Sequence, residues 1–98
     1  MIIKLPSLPD NLIDLYCTEN NLIELSILPH KLKELDCSNN KLTVLSELPN
    51  SLIELSCNNN SIVILVLPYN LKELNCSNNL LLSLPQLRSE EHTSELQS

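Results

Sequence analysis

Four cysteines stand at matched places in this chain, Cys17, Cys37, Cys57 and Cys76, separated by 20, 20 and 19 residues. Thiols can bridge, hold a metal or act as nucleophiles, and each use demands its own geometry. Tetrahedral zinc needs ligands converging on one point, whereas this spacing strings the sulfurs along a line and contains no C-x-x-C pair. Adjacent strands ~4.8 Å apart would bring neighbouring cysteines within bridging range, yet side chains of one column point the same way and serve the disulfide torsion poorly. A Cys–His pair finds little support, since the one histidine before residue 88 is His30, on a turn after Pro29. No glycine is present, so no glycine-rich phosphate loop can form. The favoured reading is four small buried hydrophobes, with a disulfide the lesser alternative. Buried free thiols are inert and fit a reducing, intracellular compartment, although a secreted protein stays open. No catalytic residue, cofactor or metal is expected.

The second set of groups able to do chemistry is polar and outward. Asp14, Glu34, Glu54 and Glu73 each lie three residues before a cysteine, and Tyr16, Asp36, Ser56 and Asn75 lie immediately before one. Thr18, Ser38, Asn58 and Ser77 follow, then Glu19, Asn39, Asn59 and Asn78. Stacked carboxylates could attract a basic protein partner, with Tyr16 as an aromatic anchor; the plain alternative is a solvated face, partly neutralised by Lys33 and Lys72. A net charge of −6 argues against nucleic acid and anionic membrane as partners. The longest apolar run, Ile62 to Leu67, is far short of the ~20 residues that span a bilayer.

One phrase positions all these groups. L-P-x-x-L-x-x-L-x-C-x-x-N-x-[LI]-x-x-L is written four times, from Leu8, Leu28, Leu48 and Leu67. A fixed period of this length marks units that cannot bury their own apolar side and must stack on their neighbours. The L-x-C stretches alternate as half-buried strands do, which turns Leu15, Leu35, Leu55 and Leu74 inward with the cysteines. Asn20, Asn40, Asn60 and Asn79 mark the bend after each strand, where an inward amide can satisfy backbone groups left unpaired. Proline once per repeat excludes long helices and predicts extended or polyproline-like return segments. Val44, Val63, Ile64 and Val66 crowd the return side where the third repeat is one residue short, as a lateral contact or an aggregation-prone run.

The phrase resembles the leucine-rich repeat family, in its short twenty-residue subclass found in secreted bacterial effectors. The resemblance implies a repeat solenoid: a right-handed arc of the α/β horseshoe class, with a parallel concave β-sheet, an extended convex side and little or no helix. It also implies an asparagine ladder, and a non-catalytic module that binds a protein partner through the concave residues Asp14, Tyr16, Glu34, Asp36, Glu54, Ser56, Glu73 and Asn75. Two alternatives stand beside it. One is the substrate-selecting portion of a larger effector ubiquitin ligase whose catalytic domain lies elsewhere; the other is a structural or surface array. Oligomeric state is left open.

The array is expected to cover residues 1–87, with a partial repeat over 1–7. Both ends lack the polar caps a free-standing array needs, so an internal slice of a longer array is expected. Residues 88–98, RSEEHTSELQS, show no repeat register and resemble a translated sequencing adapter, which predicts a non-native tail. Four short strands present roughly 250 Å² in projection, well below the ~800 Å² a partner usually contributes.

Overall fold

The computed structural model describes residues 4–82 and the strand at 95–97. Four copies of the strand segment become β1 (Asp14–Tyr16), β2 (Glu34–Asp36), β4 (Glu54–Ser56) and β6 (Glu73–Asn75). They pair in parallel, β1-β2-β4-β6, with β7 (Glu95–Gln97) completing a five-stranded sheet. Two short return-side strands, β3 (Val44–Leu45) and β5 (Ile64–Leu65), form a second parallel pair. Among the described residues there is no helix.

Register follows from the repeat. Leu15 lies opposite Leu35, Leu35 opposite Leu55, and Leu55 opposite Leu74, so equal apolar groups stack column by column. Backbone pairing runs past the strands: the amides of Cys17, Cys37 and Cys57 donate to Asp36, Ser56 and Asn75 carbonyls at 2.9, 2.9 and 2.8 Å. Each Leu-Pro opens a turn in which the proline carbonyl accepts from the leucine amide three residues on, at 3.3 Å for Leu12 and 3.2 Å for Leu32. Proline lacks an N–H but keeps this acceptor, so the turn loses nothing by it.

The core lies between the large sheet and the return segments. Leu35, Leu55 and Leu74 project into it from the strands, Leu32, Leu52 and Leu71 from the turns, and Leu22, Leu42 and Ile62 from beyond the bends, all buried. Cys17, Cys37, Cys57 and Cys76 are buried there, with no disulfide joining them. Each such leucine stabilises the fold by ~1.5–3 kcal/mol, but only once the next turn covers it. Leu12 and Leu15 of the first described turns are accordingly half-buried.

Three details differ from the sequence expectation. The return segments do more than run extended, because Val44–Leu45 and Ile64–Leu65 zip into a ladder. That pair keeps an offset of 20, whereas β4 to β6 steps by 19, so the missing residue falls just beyond β5 and leaves both sheets in register. Ser38, read as outward, is buried at 5% exposure. Finally, Glu95–Gln97 pairs with Glu73–Asn75 despite the missing repeat register. An edge strand offers unpaired backbone groups to any extended segment, whatever its side chains. The rest of the 88–98 segment and residues 1–3 lie outside the described residues.

Candidate functional site

The bend after each strand explains how the outward face is held. Glu19, Asn39, Asn59 and Asn78 adopt φ of 57°, 59°, 57° and 57°, in the left-handed region. That turns the chain inward, so the asparagine that follows projects its amide beneath the sheet. Asn40 Oδ1 accepts from the amides of Asn20 and Leu22, both at 3.1 Å, and its Nδ2 donates to the carbonyls of Cys17 and Cys37 at 3.0 Å. Asn60 does the same for Leu42 N, Cys37 O and Cys57 O, at 3.0, 3.1 and 3.0 Å. Asn79 serves Ile62 N, Cys57 O and Cys76 O, at 3.0, 2.9 and 3.0 Å. Each of these three amides therefore ties its own bend to the preceding one. Asn20 donates to Cys17 O and Thr18 O within its own bend. Three of the four left-handed positions are asparagine, the one sequence signal of this geometry.

On the outward face, Asp14, Glu34, Glu54 and Glu73 fall in one row, each Cα matched to the next. Two carboxylates ~4.8 Å apart repel by under ~1 kcal/mol in water and several-fold more where solvent is partly excluded. Lys33 and Lys72 do not relieve this: among the described residues the one ion pair joins Lys4 to Glu24, at 3.1 Å. One hydrogen bond relieves it at one end of the row. Tyr16 Oη donates to Glu34 Oε2 at 2.6 Å, and that bond foremost pushes the phenol up to about 12. The Glu73 carboxyl beside it foremost, then partial desolvation and the neighbouring Glu34, push Glu54 up to about 7.

The second row is more tightly bound to the protein itself. Asp36 Oδ1 accepts from Ser38 N at 3.1 Å and Ser38 Oγ at 2.7 Å, and Asn75 Oδ1 accepts likewise from Ser77 at 3.2 and 3.0 Å. These bonds brace the strand-to-bend step and, with a contact from Ser38 Oγ to Asn58 Oδ1, draw Ser38 inward. Tyr16, 65% exposed, and half-buried Ser56 complete the row.

The thiols face away from this surface. Burial pushes Cys17 up to about 11, Cys57 to about 12 and Cys37 well above the usual thiol value. A thiol held protonated is a poor nucleophile and a poor metal ligand. Among the described residues no three His, Cys, Asp or Glu side chains converge as metal ligands. His30 sits instead on the return side, lining a groove of about 490 Å³ with Ser26, Glu47 and Val44, and a neighbouring one of about 810 Å³ with Lys4, Ser26 and Asp10. The apolar residues Val44, Val63, Ile64 and Val66 are each 43–53% exposed on that side. No helix among the described residues is long and apolar enough to cross a membrane.

Comparison with family models, with curated protein sequences and with solved structures returns no match.

Proposed function

We propose that the chain is a leucine-rich repeat solenoid that recognises a protein partner, without catalysis, on the concave face formed by β1, β2, β4 and β6. The observation that carries this reading is the aligned row Asp14, Glu34, Glu54 and Glu73, which lacks a lysine or arginine counter-ion among the described residues. Carboxylates without a cationic partner can meet a basic surface without first breaking an ion pair, which lowers the cost of docking. Tyr16 adds a large exposed ring at one end of the row, already oriented by its bond to Glu34. The partner therefore presents lysine or arginine and needs more area than these strands supply.

The experiment is quantitative affinity capture with the whole protein and with a variant carrying Asp14→Lys, Glu34→Lys, Glu54→Lys and Glu73→Lys. Circular dichroism first establishes that the variant keeps its strand content. Partners held by the native protein should be lost from the variant; equal capture by both would rule out the acidic row as the recognition surface.

A further inference from the structure

The return-side ladder stops one repeat short of the concave sheet. Among the described residues β3 pairs with β5 alone, so its other edge looks toward the return segment of the preceding repeat, residues 24–28. That segment forms no strand, and among the described residues no hydrogen bond joins it to residues 43–48. In a parallel ladder the backbone groups of successive residues face opposite neighbours. Leu45 O accepts from Val66 N at 2.8 Å, which turns Leu45 toward the third repeat. The N–H and C=O of Val44, one residue earlier, therefore face the other way, onto the open edge. There lies the groove of about 490 Å³, walled by Glu24, Leu25 and Ile27 on one side and by Val44, Leu45 and Glu47 on the other.

An unpaired strand edge is a template for extended backbone, which selects a peptide over a compact small molecule. Ile27, 95% exposed, and Val44 offer apolar footing on the two sides. The Ser26 hydroxyl oxygen, buried in the wall shared with the neighbouring groove, has no hydrogen-bond partner among the described residues, and rotation about χ1 could give it one in a seated chain. Charge sets the sign of the occupant. Glu24, Glu47 and Asp10 line the two grooves against Lys4 and His30, and Lys4 is already paired with Glu24. The same excess of acid, with −6 over the whole chain, disfavours a second copy of the protein. We propose that this groove is a second binding site, separate from the concave face, which takes an extended peptide of alternating apolar and lysine or arginine residues along the open edge of β3. The peptide backbone pairs with Val44, its apolar side chains pack on Ile27, and a cationic one meets Glu47.

The test uses the full chain and two synthetic hexapeptides with blocked ends, one alternating lysine with valine and the other glutamate with valine. Backbone amide signals are followed by NMR as each peptide is added. The lysine peptide should shift the signals of residues 24–28 and 43–48, and the glutamate peptide should not. Glu47→Lys should weaken the lysine peptide about 5-fold at these signals. Val44→Pro removes the edge N–H, which the β3–β5 ladder does not use, and should abolish the shifts. No shift in these segments, an equal response to both peptides, or unchanged affinity in either variant would overturn the proposal. A native dimer seen by analytical ultracentrifugation and lost in Val44→Pro would also overturn it, by giving the edge to a second copy. Should Val44→Pro fail to fold, the two peptides and Glu47→Lys decide. Shifts on β1, β2, β4 and β6 would report on the acidic row, so the two sites are read separately.

Discussion

Replacing Asn40 with alanine measures how much of the stability rests on the amides beneath the sheet. Asn40 is buried, and its Oδ1 is the acceptor for two backbone amides, Asn20 N and Leu22 N, both at 3.1 Å. The carbonyls it serves keep other donors: Cys17 O has Asn20 Nδ2 at 3.2 Å, Cys37 O has Asn60 Nδ2 at 3.1 Å, and Ser38 O has Glu19 N at 3.1 Å. The loss is therefore concentrated in two N–H groups, at ~1–3 kcal/mol for each that water cannot reach. The bond to Asn20 N is only part-buried, so the expected cost of Asn40→Ala is about 2–4 kcal/mol. That is a large share of the ~5–15 kcal/mol typical of whole domains. Asn79→Ala strands one amide, Ile62 N at 3.0 Å, at a half-buried site, and should cost about 1–2 kcal/mol. Urea unfolding followed by far-UV circular dichroism, with an unchanged m value, reads both. A cost below about 0.5 kcal/mol for Asn40→Ala, or one no larger than for Asn79→Ala, would refute the reasoning.

Two further outcomes follow from the bends and the core. Glu19 holds the left-handed backbone that asparagine holds at residues 39, 59 and 78; this conformation costs most residues ~1–2 kcal/mol and asparagine less. Glu19→Asn should therefore raise stability by about 0.5–1 kcal/mol, and an unmoved urea midpoint would count against strain there. The thiols of Cys17, Cys37 and Cys57 have folded pKa values above the ordinary 9.0, so their contribution is intact below that pH and lost as pH climbs through about 11 to 12. A thiol reagent at mildly alkaline pH should thus label Cys37 at least ~100-fold more slowly in the native chain than in urea. Rapid native labelling of all four thiols would contradict a buried column.

The period is the part of this structure that could be read without coordinates. Four copies of one phrase place Leu15, Leu35, Leu55 and Leu74 opposite one another and bring the carboxylates into a row, because near-equal chain lengths return each strand to the same register. The alternation of leucine, polar residue and cysteine likewise separates buried thiols from exposed acids. Asn40, Asn60 and Asn79 are recognisable as bend amides from their place after each strand, but their partners in the preceding bend are not.

Those partners depend on distances across neighbouring turns, which no single repeat contains. The same holds for Ser38, pulled inward by Asp36 and Asn58, and for β3 and β5, which pair because the shortened repeat loses its residue after them. It holds most for the acidic row: identical-looking carboxylates diverge because Glu34 meets a phenol and Glu54 meets another acid. Periodicity determines which residues are neighbours, since it acts through chain length. Which neighbour donates and which accepts is decided by side-chain geometry at ~3 Å, and only the folded stack sets that.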